Sequence, residues 1–273
     1  MPRTQDKDES LMASNTPKST REERREAARL EAARLREQAA KREKRNRGIL
    51  IGAVVLVVAL IATAGFFIFQ AAGRTLLSDF EGEVPAGSNL HGGIPIGAEG
   101  AGSPNEGAVE VDVYLDFLCP YCGQFEEVNG ADVATLVGDG TATVTYHPLA
   151  NLDHLSAETM YSTRAANAFA TVASDEPAMA LPFAEALFAN QPAEGGPGLT
   201  DDEIAAIAVE AGVSQEVADS LAAGTYTEWV RVATEQSQRD GVGGTPTIHI
   251  DGQDWSGNWT NPGEFMTAVT DAA

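Results

Sequence analysis

The sequence predicts an α/β domain with an all-helical insertion, preceded by a single transmembrane helix. Two observations support this prediction. An uncharged apolar segment occupies residues 48–70, and residues 108–273 contain strand-like patterns on either side of a long helical block at 155–240. With 273 residues, of which 43% are apolar, the chain is long enough for one sizeable domain with appendages.

Charge is distributed unevenly along the chain. The formal net charge is −22, yet 14 of the 18 Lys and Arg residues lie within residues 1–47, and no Lys follows Lys44. The rest of the chain lacks the clustered cations that contact phosphate groups, so nucleic acid is excluded as its partner. Its acidic residues are scattered, and we interpret them as a solvated surface that keeps the protein soluble.

The first 47 residues form a basic tail that we predict to be cytoplasmic, with a helix over residues 19–45. This segment is rich in Ala, Leu, Arg and Glu, which are good helix formers. Ser19 and Glu22 have the spacing of a capping box. The apolar stripe is too thin for a sustained heptad pattern, so a coiled coil is not favoured.

Residues 48–70 predict a single-pass anchor in the cell membrane. No charge occurs between Arg47 and Arg74, and about 20 apolar residues span a hydrocarbon core of about 30 Å. The basic N-terminal flank predicts a cytoplasmic N-terminus and an extracytoplasmic body. A cleaved signal peptide is the alternative, but the apolar stretch exceeds the about 7–15 residues usual for one. Both readings give the body the same compartment.

Residues 71–107 are rich in Gly and contain three prolines. This composition predicts a flexible extracytoplasmic tether. Within it, residues 90–97 have the composition of a short edge strand, a position that Pro95 permits.

The folded domain is predicted over residues 108–273. Apolar and polar residues alternate over 109–117, which is the period of a strand. A helix is predicted from about residue 120 to 137, and a second strand over 141–146. After the helical block, a hairpin turning at Asp251-Gly252 and a last helix complete the domain.

Cys119 and Cys122 are the only cysteines, and they lie at the junction of the first predicted strand and its helix. Unpaired N–H groups and partial positive charge at a helix N-terminus stabilise a thiolate and lower its pKa. The first cysteine gains most, so we predict Cys119 as the nucleophile and Cys122 as the resolving thiol. Between them, Pro120 restrains the small ring that a disulfide closes, and Tyr121 completes the dipeptide. A redox-active Cys119–Cys122 disulfide needs no cofactor.

Two other uses of the cysteine pair are less favoured. A purely structural disulfide suits the extracytoplasmic compartment, but so short a loop gains little from closure. A zinc site needs four ligands. The four histidines show no pairing at ligand spacing, so no metal is expected: His91, His147, His154 and His249.

The segment Asp116–Val128, DFLCPYCGQFEEV, resembles the active site of the DsbA family of extracytoplasmic thiol–disulfide oxidoreductases. The resemblance covers about residues 108–273 and implies a thioredoxin fold with a helical domain inserted after the second core strand. It also implies a cis-proline opposite the CxxC motif. By position this is Pro246, and the backbone of the preceding Thr245 would bind substrate.

This resemblance implies that the protein forms disulfides in exported proteins and exchanges electrons with a membrane redox partner. The dipeptide is Pro-Tyr, where the best-known oxidases of the family have Pro-His, and the neutral Tyr121 favours a less oxidising pair. Two alternatives remain open. One is a reductase or isomerase fed by a membrane electron donor, and the other is a non-catalytic anchored binding module with a structural disulfide. We interpret Glu126 and Glu127 as a solvated first helical turn, with electrostatic tuning of the cysteines as the alternative.

Overall fold

The computed structural model describes residues 21–72 and 74–273 of the chain. Two compact units divide between residues 73 and 74. The N-terminal unit contains one unbroken helix of 52 residues, α1 (Arg21–Ala72). The helix expected over 19–45 and the transmembrane helix expected over 48–70 are therefore parts of one continuous helix within the described residues. An isolated glycine such as Gly48 costs only about 1 kcal/mol inside a helix, and no proline interrupts this stretch. The predicted helix start at residue 19 lies outside the described residues.

Among the described residues, α1 is long and apolar enough to cross a membrane. Among the described side chains of this helix, the large apolar ones are exposed within its unit, and Leu50 and Ile61 are each 66% exposed. Transfer of such side chains from water into hydrocarbon is favourable by roughly 1.5–3 kcal/mol each. Helix α1 therefore has the properties of a membrane anchor.

The C-terminal unit is built on a six-stranded mixed sheet with the order β2-β1-β4-β3-β5-β6. Neighbouring strands β3 and β4 are parallel, and the other neighbours are antiparallel. The strands are β1 (Ile94–Gly97), β2 (Gly100–Ala101), β3 (Val109–Leu115), β4 (Ala142–Pro148), β5 (Thr247–Ile250) and β6 (Gln253–Asp254).

Seven further α-helices surround the sheet, and five of them form the insertion between β4 and β5. The helices are α2 (Pro120–Gly138), α3 (Tyr161–Asp175), α4 (Ala180–Ala189), α5 (Asp201–Glu210), α6 (Gln215–Ser220), α7 (Thr227–Arg239) and α8 (Glu264–Ala272). Thr200 and Glu203 form a complete capping box at the start of α5. The predicted α/β fold with a helical insertion is confirmed.

Residues 74–107 belong to the folded unit, so the predicted tether is wrong for this segment. Leu77 is only 6% exposed, and Ile94 and Ile96 are buried in the core. Strand β1 lies between β2 and β4 and not at the edge of the sheet. The glycines that suggested flexibility occupy turns instead, as at Gly92, where φ is +81°.

Aromatic packing connects the sheet to the insertion and fixes the start of α2. The ring of Phe117, which follows β3, lies 5.7 Å from Phe169 of α3 and 4.9 Å from Phe188 of α4 between centroids. Further along α2, Phe125 lies 5.5 Å from Phe265 of α8. These contacts hold the N-terminus of α2 at the carboxyl end of β3.

Candidate redox active site

The two cysteines lie at the turn between β3 and α2. Cys119 is the N-cap of α2, with extended backbone angles and no side-chain cap hydrogen bond, and Pro120 is the first helical residue. Proline lacks an N–H group, which would be unpaired in that first turn in any case. The sulfur of Cys119 therefore lies at the positive end of a 19-residue helix.

The surroundings of Cys119 favour its thiolate. A hydrogen bond from the Cys122 thiol, opposed by burial and aided by the backbone N–H groups of Cys122 and Tyr121, lowers the pKa of Cys119 to about 6. When protonated, the Cys119 thiol donates to the carbonyl oxygen of Thr245 at 3.2 Å. The Thr245–Pro246 peptide bond is cis. The contact with Cys119 places Thr245, which the family resemblance singles out, beside the dithiol.

Cys122 lies deeper than Cys119 and keeps its proton more firmly. It is 1% exposed, against 5% for Cys119, and both are free thiols. Burial raises the pKa of Cys122 well above its ordinary value. As pH rises, Cys119 therefore ionises first. This asymmetry gives the two sulfurs the different chemical properties that a nucleophile and a resolving thiol require.

Asp116 is completely buried beside the cysteines, although its place in the alternating pattern predicts exposure. Strand β3 ends at Leu115, so the alternation no longer applies one residue later. Its carboxylate accepts hydrogen bonds from the backbone N–H groups of Leu118 and Leu152, both at 2.9 Å. Burial raises the pKa of Asp116 to about 6. This side chain thus connects the cysteine turn to the loop after β4.

The interpretation of Glu126 as a solvated residue is wrong, whereas Glu127 is exposed. Glu126 lies one helical turn after Cys122, and its Oε2 accepts a hydrogen bond of 3.3 Å from the hydroxyl of Tyr146. Tyr146 is fully buried in β4. Burial, reinforced by the charge of Glu185, raises the pKa of Glu126 to about 7. The polar sequence Glu-Glu gave no sign that one of the two is half-buried and accepts a hydrogen bond from a buried tyrosine.

The helical insertion contributes Gln191, which no sequence pattern singles out. Its Nε2 atom donates to the carbonyl oxygens of Phe117 and Cys119, each at 2.9 Å. Gln191 lies in the irregular segment after α4, and the Asn-Gln-Pro composition there is typical of an ordinary loop.

A groove of about 710 Å³ opens beside Cys119. One wall includes Tyr121, which is 61% exposed. The other walls include Asn151 and Leu152 of the loop after β4 and the segment 242–245. Two glycines precede Thr245, and a Cβ atom built on either would meet no heavy atom within 4 Å, so this backbone borders open space.

Known proteins resemble this chain in the same region. The model of a family described as thioredoxin matches residues 100–269. The reduced form of the disulfide bond oxidoreductase DsbG from Mycobacterium tuberculosis is 30% identical, with a TM-score of 0.56 over 66% of this chain and 86% of that chain. Reduced DsbA from the same organism is 27% identical, with a TM-score of 0.54 over 66% of this chain and 98% of that chain.

Two further similarities support less, one because the identity is low and the other because the matched region is short. The thiol–disulfide oxidoreductase MdbA from Actinomyces oris shares the fold at 21% identity, with a TM-score of 0.57 over 73% of this chain and 96% of that chain. The serine/threonine-protein kinase PknE of Mycobacterium tuberculosis is 32% identical over 118 residues, or 42% of this chain. The chain spans only 21% of PknE, so the likeness concerns one part of that protein.

Proposed function

The chain belongs to the thioredoxin family, and from this premise we propose that it is a membrane-anchored thiol–disulfide oxidoreductase that forms disulfides in exported proteins. One observation supports this most directly. The Cys119 sulfur, with a pKa of about 6, lies at the N-terminus of α2 and opens to the groove, with Cys122 buried behind it. The likeness to DsbG and DsbA from Mycobacterium tuberculosis supports the same chemistry.

The proposed reaction begins with the oxidised enzyme. A substrate thiolate attacks the Cys119 sulfur, a mixed disulfide forms, and Cys122 leaves and takes up a proton, as its raised pKa favours. A second substrate thiolate then attacks the substrate sulfur of the mixed disulfide and releases Cys119 as a thiolate. The substrate loses two electrons to the enzyme, and a membrane redox partner returns the enzyme to its disulfide form. The enzyme needs no cofactor beyond its own disulfide.

The proposed direction of electron flow follows from the thiolate at Cys119. A stabilised thiolate favours the reduced enzyme and makes its disulfide a better oxidant. Thiols of this class titrate from about pH 3.5 in a strong oxidant to about pH 7 in thioredoxin, and Cys119 lies between these values. Because the neutral Tyr121 adds no positive charge, a reductase or isomerase is the second candidate.

Substrate would bind in extended form along the groove, with its backbone beside Thr245 and Pro246. Pro120 and Tyr121 would contact the residues that flank the reacting cysteine. The lining of the groove is mainly neutral, with Gln124 and Asn151 among its polar members. Backbone recognition of this kind tolerates many side chains, as an enzyme for diverse exported chains requires.

We place the body outside the cytoplasm and the N-terminus inside, with α1 spanning the cell membrane once. The basic flank that precedes Gly48 supports this orientation, because Lys and Arg accumulate on the cytoplasmic side. Protease added to intact spheroplasts should then digest the body. Protection of the body from the protease would indicate the opposite orientation.

Equilibration of residues 74–273 with glutathione redox buffers tests the enzyme directly. Reference dithiols range from about −120 mV for a strong oxidant to about −270 mV for thioredoxin. We expect a potential between about −120 and −200 mV, which drives oxidation of substrate thiols. A potential near about −270 mV would instead support the reductase. A cysteine pair that never equilibrates would refute both enzyme hypotheses and support the non-catalytic binding module.

A further inference from the structure

The side-chain amide of Gln191 binds the redox turn from the helical insertion. Its Nε2 donates to the carbonyl oxygens of Phe117 and Cys119, both at 2.9 Å. These two carbonyls flank Leu118, so one amide nitrogen holds both sides of the turn that leads from β3 into α2.

The carbonyl oxygen of Cys119 is also the first acceptor of α2. It accepts from the backbone N–H groups of Cys122 at 3.0 Å and Gly123 at 3.2 Å. The Gln191 amide therefore joins the hydrogen bonds that set the orientation of Cys119 against the helix N-terminus. The backbone N–H groups of Tyr121 and Cys122 stabilise the Cys119 thiolate only if this orientation is maintained.

Glycine at position 123 leaves room for the side chain of Gln191. A Cβ atom built on Gly123 would lie 2.5 Å from Gln191 Oε1 and 3.2 Å from Gln191 Cδ. Gly123 lies inside α2 and has no left-handed backbone angle, so its conformation does not require glycine. Glycine in a helix is disfavoured by about 1 kcal/mol relative to alanine. The space that the Gln191 amide occupies explains the absence of a side chain.

Packing keeps Gln191 in register with the turn. Phe188 lies three residues earlier, at the end of α4, and its ring contacts Phe117 at 4.9 Å between centroids. The backbone N–H of Gln191 donates to the carbonyl oxygen of Phe188 at 3.1 Å. The end of α4 thus presents an aromatic ring and an amide to the same turn.

We propose that Gln191 is a positioning residue for disulfide exchange, through which the helical insertion holds the Cys119 turn in its reactive geometry. This inference rests on the proposed function of Cys119 and Cys122. Gln191 itself does not contact the reacting sulfur atoms in this assignment. It acts through the carbonyl oxygens of Phe117 and Cys119, and Gly123 provides the room that it needs.

The test compares four variants of the full chain in detergent: Gln191→Ala, Gln191→Met, Gly123→Ala and the double variant Gln191→Ala/Gly123→Ala. Two readouts are the pH midpoint of Cys119 ionisation and the rate of Cys119 alkylation at a fixed pH below that midpoint. We expect both Gln191 variants to shift the midpoint upward and to slow alkylation about three- to tenfold, because one or two ordinary hydrogen bonds are lost. Methionine fills similar space without donating, so it separates hydrogen bonding from packing.

Gly123→Ala should reproduce the loss by displacing the amide. In the double variant the amide that the new Cβ would contact is absent. The alkylation rate of the double variant should therefore be close to that of Gln191→Ala alone. Strictly additive losses, or Gln191 variants with unchanged midpoint and rate, would overturn the proposal. If Gly123→Ala fails to fold, the ionisation midpoints and alkylation rates of the two Gln191 variants still test the proposal.

Glutathione equilibration of the wild-type full chain separates this inference from the proposed function. If the wild-type pair does not equilibrate, the oxidoreductase itself is refuted. If the wild-type pair equilibrates and Gln191→Ala shows the same potential, ionisation midpoint and rate, only the positioning role is refuted.

Discussion

The sulfur of Cys119 lies 3.2 Å from the carbonyl oxygen of Thr245, a residue 126 positions later in the chain. This contact exists because β5 returns beside β3 after the whole insertion, pairing Tyr114 with Thr247. The nucleophile and the peptide-binding backbone therefore belong to neighbouring strands of one sheet. The insertion that separates them in sequence forms part of the surrounding site through Gln191.

The ionisation of Cys119 should be visible as thiolate ultraviolet absorbance in the reduced protein, with a midpoint near pH 6. Cys119→Ser should abolish this transition. Cys122→Ala should keep it but move it to higher pH, because alanine cannot donate the hydrogen bond that is the strongest influence lowering the pKa of Cys119. A wild-type midpoint near the ordinary value of about 8.5 would contradict this assignment.

Replacement of each cysteine should separate their roles. Cys122→Ser should accumulate mixed disulfides between Cys119 and substrate, because the resolving thiol is absent. Cys119→Ser should form none, since the remaining sulfur is only 1% exposed. Non-reducing gels of cell extracts with and without each variant measure this. Equal trapping by both variants would show that Cys122 is as accessible as Cys119, contrary to its deeper burial.

Glu126→Gln should flatten the pH dependence of stability. Burial raises the pKa of Glu126 from 4.5 to about 7, so the neutral acid favours folding below pH 4.5 and this contribution is lost as pH rises through about 7. A permanently neutral glutamine keeps an acceptor for Tyr146. The variant should match wild type below pH 4.5 and exceed its unfolding free energy above pH 7 by up to about 3 kcal/mol.

Denaturant unfolding at several pH values measures this difference. The matched control is Glu127→Gln, at the exposed neighbouring position, which should leave the pH profile as in wild type. A Glu126→Gln profile parallel to that of wild type would mean that Glu126 is solvated in the folded protein.

Phe188→Ala should destabilise the C-terminal unit by about 3–5 kcal/mol, the usual cost of deleting a buried aromatic ring. Phe188 is 7% exposed and contacts Phe117 at the junction of insertion and sheet. Leu90→Ala is the control, because Leu90 is 54% exposed and should cost about 0.5 kcal/mol or less. Similar unfolding midpoints for the two variants would argue against a packed junction.

The anchor can be tested by arginine substitution within α1. An arginine near the centre of a membrane-spanning helix costs about 2.5–3.5 kcal/mol, so Val57→Arg combined with Leu60→Arg should release the chain from alkali-washed membranes. Leu35→Arg changes an exposed apolar residue of the predicted cytoplasmic part and should leave the chain in the membrane fraction. Retention of the double variant would refute a spanning role for residues 48–70.

Local patterns correctly predicted the two elements that carry the cysteines. The alternation of β3 and the proline after Cys119 depend only on near neighbours in sequence. The resemblance to the DsbA family then correctly implied the cis bond before Pro246. Local patterns misjudged residues 74–107, because Gly-rich composition does not distinguish a flexible tether from tight turns around a buried Leu77.

By itself, the sequence determined the sites of the cysteines, the helix that follows them, the helical insertion and the apolar segment of α1, because each depends on residue spacing and hydrophobicity over a short range. Only the tertiary structure decided that Asp116 is buried, that Glu126 is half-buried beside Tyr146, and that Gln191 reaches the cysteine turn. Burial and the raised pKa values that follow from it are properties of what surrounds a side chain, and those surroundings come from strands and helices distant in the chain. The cysteines of the redox site can therefore be found from the local sequence, whereas the groups that position them and shift their pKa values are brought together only by the tertiary fold.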